Sequence, residues 1–336
     1  MTKPRAAVPV RLRSIVKHFE SLPDPRHSRN RRHVLVEVIT IAVCGVIVGC
    51  SGPTAMARWA RAKKDWLQKV LALPQGIPSR DCIRRVLSAL KPEAFQTCFQ
   101  SWITSLLNEE DDRDRMIAID GKTLRRSQDA NAGLGPLHLV SAWAGEHGLA
   151  LGQVATEEKS NEITAIPALL DRIDVQGAVV TIDAMGCQKD IAKKIVDGGG
   201  DYVLAKIPDD FPGKGAWRGL QAIGMAVRLV ENPDGTLSGD TRYFIASRYL
   251  SGPRFAQAVR GHWGIENRLH WVLDVTFDED QSRTRNRHMA DNLSWLRRFA
   301  ISLLNRHPSN HSIKGKSQIA GWNNEFLLEV LAAQRD

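Results

Sequence analysis

Three acidic residues have the type and setting of a cation-binding cluster. Asp120 closes the apolar run Met116-Ile-Ala-Ile and precedes Gly121; Asp183 closes the run Ala178 to Ile182 in the same way. Ligands of α/β sheets bind at the carboxyl ends of strands, so two such strands side by side would bring both carboxylates together. Glu266 lies in Arg260-Gly-His-Trp-Gly-Ile-Glu266-Asn-Arg-Leu-His270-Trp, with Leu269 and Leu273 one and two turns on. A carboxylate on a core-facing stripe is costly unless it is paired or binds metal. Three carboxylates with no cysteine nearby are hard oxygen ligands that suit Mg²⁺ or Mn²⁺. Two such ions about 4 Å apart activate a water or a 3′-hydroxyl and stabilise the leaving oxygen of an in-line phosphoryl displacement. Each acid also has a plain structural reading. Either aspartate can be a turn former or helix cap, and Glu266 can pair with Arg260 or His270.

The elements that must position these acids follow from the pattern around them. Residues 1–110 read as helical: an apolar helix from Val34 to Cys50, a helix opened by Pro53, and one capped by Ser79 that runs to Leu90. A further helix from Pro92 carries Phe95, Phe99, Trp102 and Leu106. From Met116 the pattern becomes strand, strand (His138–Trp143), strand (Leu149–Thr156) and helix (Asn161–Ile173). Then come a strand at Ala178–Ile182, a helix at Gln188–Val196 and a strand at Tyr202–Ile207. That order predicts a mixed α/β sheet. Residues 208–241 read as loop, Arg242–Ser247 as a strand, Pro253 onward as a helix of about five turns, and Asp291–Leu304 as another. The tail, 311–336, ends in a short helix at Asn324–Leu331.

The 336 residues carry 46 Lys and Arg against 37 acids, a net charge of +9. A surplus of that sign favours a polyanion, because each cation placed on a phosphate releases a condensed counterion. Cys44, Cys50, Cys82, Cys98 and Cys187 are scattered, odd in number and form no CxxC pair. This argues against a disulfide framework or thiolate zinc site and for a reducing, cytoplasmic compartment. The apolar run at 34–50 is short and contains Glu37, so a buried helix is expected in place of a membrane span, and the start MTKPRAAVPVRLR lacks the apolar core of a signal peptide.

The ordered set of motifs resembles one family along nearly the whole chain. The set comprises Asp24-Pro-Arg with the basic run to His33, Pro78-Ser-Arg-Asp81, Ile117-Ala-Ile-Asp120-Gly-Lys-Thr and Lys159-Ser-Asn-Glu-Ile. It continues with Thr181-Ile-Asp183-Ala-Met, Tyr202-Val-Leu-Ala and Arg260 through Phe277, then Glu279-Asp280. The family is the H-repeat-associated, ISAs-type bacterial transposases, within the larger DDE transposase group. The resemblance implies an all-helical N-terminal domain (1–110), an RNase H-like mixed-sheet catalytic domain (111–310) and a C-terminal tail (311–336). It implies Asp120, Asp183 and Glu266 as catalytic metal ligands, Mg²⁺ or Mn²⁺ as cofactor, and DNA cleavage and strand transfer at insertion-sequence ends. It further implies a homodimer associated with the nucleoid, acting on double-stranded terminal repeats and target DNA. Two departures stand out. Val259, His262 and Leu273 replace the Tyr, Arg and Lys that many wider relatives place around the glutamate, although the close family shares this form. Roughly forty to fifty residues are missing near 207–241 by comparison with the family pattern, which raises the alternative of an internally deleted relic that binds DNA without chemistry.

DNA-contacting candidates are Lys122, Arg125 and Arg126 after the first aspartate, Arg260, His262, Trp263, Asn267 and Arg268 around the glutamate, and Arg283 and Arg285 beyond it. Arg287, Arg297 and Arg298 extend that last basic cluster. Phosphate contacts of this kind position DNA without reading sequence. For each arginine the bland reading is a solvated basic face, and for Trp263 or Trp271 a core position in place of base stacking. The helix from Ser79, with Arg80, Arg84 and Arg85, reads either as a groove-reading helix or as a plain packing unit.

Overall fold

The computed structural model describes residues 17–105, 114–156, 162–183, 186–205 and 214–332. The apolar run becomes α1 (Leu35–Ile47), buried on nearly every side, as expected of a helix that is hydrophobic all round. Its Glu37 is also buried, and Oε1 accepts the Leu73 N–H at 2.9 Å. No described helix is long and apolar enough to cross a membrane. The helix opened by Pro53 divides at Lys63 into α2 (Pro53–Ala62) and α3 (Lys64–Val70). Helix α4 (Arg80–Ala89) is capped as expected, Ser79 Oγ accepting the Cys82 N–H at 3.2 Å. Helix α5 (Pro92–Thr104) carries Phe95, Phe99 and Trp102 inward. Phe99 and Trp102 meet Phe299 at ring-centroid separations of 4.2 and 4.6 Å.

Phe299 belongs to α10 (Arg287–Arg306), a long buried helix between the N-terminal helices and the sheet. One contiguous apolar core therefore runs from Phe19 to Leu331 through both regions. The seven strands are β1 (Met116–Leu124), β2 (Leu137–Ala144), β3 (Leu149–Thr156), β4 (Val179–Ile182), β5 (Asp201–Ala205), β6 (Ala222–Glu231) and β7 (Leu237–Ala246), in the order β3-β2-β1-β4-β5-β7-β6. Strands β1, β4 and β5 are parallel; β2, β3, β7 and β6 join by antiparallel pairing. Helix α6 (Glu162–Leu170) lies between β3 and β4, and α7 (Lys189–Asp197) connects the parallel strands β4 and β5. Helix α8 (Gly252–Ile265) runs through a π-helical turn (Glu266–His270) into α9 (Trp271–Val275) and packs on β1 and β4.

The structure departs from the sequence reading in three places. Residues 222–246 are a long β-hairpin where mostly loop was expected. The Pro233-Asp234-Gly235 group that reads as loop is its turn, with Gly235 at φ 80°, and Ile223, Met225, Val227 and Leu229 alternate along an exposed face. The tail holds a helix, α11 (Ile313–Trp322), ahead of α12 (Asn324–Ala332). Strand β1 also runs four residues beyond Asp120, because β2 continues to pair with it as far as Leu124↔Leu137.

Candidate active site

The register of β1 and β4 sets the first two acids. Ile119 lies opposite Ile182 in the parallel pair; Asp120 and Asp183 are the next residue on each strand. Strand β4 ends there, while β1 continues under β2. Gly121 is required by the opposite face of the sheet. A Cβ at that position would come within 2.3 Å of Glu162 Oε1 and 2.4 Å of His138 Nε2. Those two side chains form a buried pair at 2.7 Å, and His138 Nδ1 lies 2.9 Å from Thr123 Oγ1. The Asp-Gly step thus serves two faces: Asp120 turns toward the α8–α9 helix, and the missing side chain leaves room for the buried histidine–carboxylate pair beneath.

The third acid comes from the helix. Ile265, Leu269 and Leu273 are fully buried and anchor it. The π turn, closed by the Trp271 N–H donating to the Glu266 carbonyl, begins at Glu266 itself; such insertions cluster at functional sites. Glu266 and Asp183 line one cavity of about 490 Å³ together with Thr181, His262, Trp263 and Arg242. His270, one turn past Glu266, places Nδ1 3.5 Å from Asp120 Oδ2. Burial lowers the His270 imidazole to about 3, helped by the positive charges of Arg298, Lys122 and His138, so it meets Asp120 as a neutral ring. Burial raises the Asp120 carboxyl to about 6, and the charges of Asp183, Glu266 and Glu162 add to the rise against the opposing Gly121 N–H. The three acids thus lie within electrostatic reach of one another around a desolvated carboxylate whose contacting imidazole is uncharged. Among the described residues, no three carboxylate, imidazole or thiol groups stand close enough together to enclose a metal ion as they are.

The basic residues separate into distinct settings. Lys122 is not offered to solvent: it is buried, and its ammonium donates to Asp274 at 2.9 Å and Asp280 at 3.1 Å. Arg125 reaches Asp280 at 3.2 Å from an exposed position, and Arg126 is exposed. His262 Nδ1 lies 3.2 Å from Thr181 Oγ1, and burial lowers its pKa. Trp263 is half-exposed, with the Arg242 guanidinium 5.1 Å from its ring centroid, a cation–π contact. Arg260, Asn267 and Arg268 are exposed and line a second cavity of about 620 Å³ on the other flank of α8. Arg283 and Arg285 are exposed, but Arg297 and Arg298 are core residues, each 3.4 Å from Glu279 Oε1. The expected second basic cluster is therefore divided between surface and core, and the Glu279 of the family motif is the buried counter-ion. Sequence reasoning missed Arg242 and Tyr243, which the hairpin brings beside Glu266. It also missed the ion-pair partners of Lys122, which lie about 150 residues away with no local signal.

The chain belongs to the transposase DDE domain family: the family's model matches residues 111–304, and the model described as DDE_Tnp_1-associated matches residues 16–103. Among its relatives, "H repeat-associated putative transposase YhhI" of Escherichia coli (strain K12) is 34% identical, covering 96% of this chain and 98% of that protein. "Putative transposase YncI" of Escherichia coli O157:H7 is 34% identical over 96% and 95%. The first alignment extends over 379 positions against a chain of 336, so at least 43 positions have no counterpart here. A solved structure titled "Cryo-EM structure of piggyBac transposase synaptic complex with hairpin DNA (SNHP)" matches at a TM-score of 0.43 and 11% identity, covering 92% of this chain and 75% of that one.

Proposed function

We propose that this protein cleaves DNA at the ends of an insertion element and joins them to target DNA, with Asp120, Asp183 and Glu266 holding divalent cations. The observation that carries this reading is the electrostatic one. A largely desolvated carboxylate held up at about 6 near two further acids, touched by a neutral imidazole and the Gly121 N–H, lacks a positive charge beside it. Mg²⁺ or Mn²⁺ fits the all-oxygen donor set and would activate the attacking hydroxyl and neutralise the leaving oxygen. Glu266 is exposed and shares its cavity with Asp183, so its side chain is free to turn toward the aspartates when a cation binds. His270 orients Asp120 on its helix-facing side, and the Gly121 N–H holds the other oxygen at 2.8 Å.

The strand order, with three antiparallel strands followed by parallel β4 and β5 beside β1, supports reading the sheet as RNase H-like. The positions absent relative to YhhI leave β1, β4 and the glutamate helix in place, which supports an active enzyme over a relic. Double-stranded DNA would be followed by Arg125, Arg126, Arg260, Asn267, Arg268, Arg283 and Arg285, with His262 and Trp263 near the reacting phosphate. Lys122 instead ties β1 to α9. The protein would act as a homodimer in the nucleoid. The test is strand cleavage of element-end DNA with Mg²⁺, comparing wild type with Asp120→Ala, Asp183→Ala and Glu266→Ala. Cleavage in wild type only supports the reading; binding without cleavage in wild type would leave a DNA-binding relic.

A further inference from the structure

A second basic concavity lies far along the chain from the acids, in the region before the sheet. Arg26, His27, Arg29, Arg32, His33 and Arg85 line a cavity of about 630 Å³ at the amino end of α4, beside its Ser79 cap. Arg26 is the fixed element. Its side chain is only 8% exposed, and Asp24 holds Nε at 2.9 Å and Nη2 at 2.7 Å; Nη2 also donates to the His33 carbonyl at 2.8 Å. Among the described residues, its Nη1 and the His33 Nδ1 are buried with no nitrogen or oxygen partner, although the Cys82 thiol also interacts with the guanidinium. A buried donor left unpaired costs about 1–3 kcal/mol, more when it carries charge, so a ligand that accepts from it removes a standing penalty.

The remaining cations are free to serve that ligand. Arg29, Arg32 and Arg85 are exposed at the rim, and none makes an ion pair with another described residue. Asp24 is engaged with Arg26 and, at 3.6 Å, Arg31. Burial and the charges of Arg26 and Arg32 lower the His33 pKa, so this ring is neutral. The backbone at the amino end of α4 adds partial positive charge, offset in part by Asp81 in its first turn, which Arg80 and Arg84 pair. Among the described residues no Phe, Tyr or Trp lines the cavity, so the large aromatic platforms on which bases usually stack are missing from it. Arg80 and Arg84 extend the basic surface outward along α4 as exposed pairs with Asp81, at 3.9 and 3.7 Å, so the unpaired charge is concentrated at Arg29, Arg32 and Arg85, whose spread around the rim suits a chain of phosphates.

We propose that this cavity is a DNA backbone-phosphate site, gripping the duplex by the N-terminal helices at a distance from the catalytic acids. The proposal rests on DNA being the substrate, but not on the metal chemistry. It is tested by titrating a short labelled duplex in EDTA at several salt concentrations, with wild type, Arg85→Gln, and the triple variant Arg29→Gln, Arg32→Gln, Arg85→Gln. As the three positions are exposed, folding is checked by matching melting curves, and Arg58→Gln with Arg61→Gln on α2 serves as a charge control. Each lost phosphate contact should reduce the slope of log affinity against log salt by about 0.9, so the triple variant should lose roughly two to three units of slope while the control stays near wild type. Pocket variants that track the control overturn the proposal. So does a melting increase from inorganic phosphate alone that the triple variant loses while its duplex slope stays unchanged, since the cavity would then hold a free anion. If wild type itself fails to bind duplex, the functional reading falls with it; if wild type binds and the variants are unaffected, only the phosphate site falls.

Discussion

Replacing Asp120 by asparagine should make the metal-free protein more stable. The Asp120 side chain is 18% exposed, and its carboxyl is raised from 3.8 to about 6 by burial and by the charges of Asp183, Glu266 and Glu162. A rise of about two pH units corresponds to roughly 3 kcal/mol against the ionised form, at about 1.4 kcal/mol per unit. The sign follows from proton binding: the folded state holds this proton more tightly than the unfolded chain. Stability therefore falls as pH rises from about 4 through about 6 and is flat above that. Asparagine keeps the shape and an oxygen for the Gly121 N–H, and carries no charge at any of these pH values. In EDTA at about pH 8 the variant should melt roughly 6 °C above wild type, at about 2 °C per kcal/mol for a chain of this size. The gap should close as the pH is lowered toward about 4. Saturating Mg²⁺ should raise wild type by mass action and leave the variant unmoved. Thermal melting across this pH range, with and without metal, reads all three effects. A variant that melts below wild type at high pH, or a gap that ignores pH, would refute the electrostatic reasoning.

Other substitutions separate scaffold from site. Gly121→Ala drives a Cβ into the His138–Glu162 pair and should cost about 2–4 kcal/mol in urea unfolding by overpacking and disruption of a buried pair. Lys122→Ala leaves Asp274 and Asp280 without their shared cation; about 2–4 kcal/mol of stability should be lost, with the salt dependence of DNA binding unchanged in anisotropy titrations. Arg268→Gln, at an exposed position, should do the reverse: melting within about 0.5 kcal/mol of wild type and a salt slope smaller by about 0.9. Glu266→Gln should likewise leave melting nearly unchanged while strand cleavage falls by at least about a hundredfold in a gel assay, because only the metal-facing charge is removed.

The candidate acids were more legible than the residues that support them. Asp120 and Asp183 announce themselves because a buried parallel strand reads as an unbroken apolar run, and an acid at its end has few reasons to be there. Glu266 is visible through the buried stripe of Ile265, Leu269 and Leu273. What local pattern cannot show is partnership across the fold. Lys122 alternates inward on β1 and meets Asp274 and Asp280; Arg297 and Arg298 look like surface charge until Glu279 is packed against them. Strand β1 outruns its apparent stop because Gly121-Lys122-Thr123 pairs with β2, although glycine and lysine are poor strand formers. Strand β6 escaped notice because its apolar residues alternate without a buried face, and a strand read from period two is expected to have one. The N-terminal basic run was visible as charge, but its concavity forms only when residues 26–33 meet the start of α4.

The most direct measurement is the position of Mn²⁺ in crystals of the protein, located by anomalous scattering. Manganese should be coordinated by Asp120 and Asp183 together, with the Glu266 carboxylate turned in from its exposed position, and that signal should be lost in Asp120→Asn. Manganese bound elsewhere, or three acids that stay apart at saturating metal, would contradict this assignment.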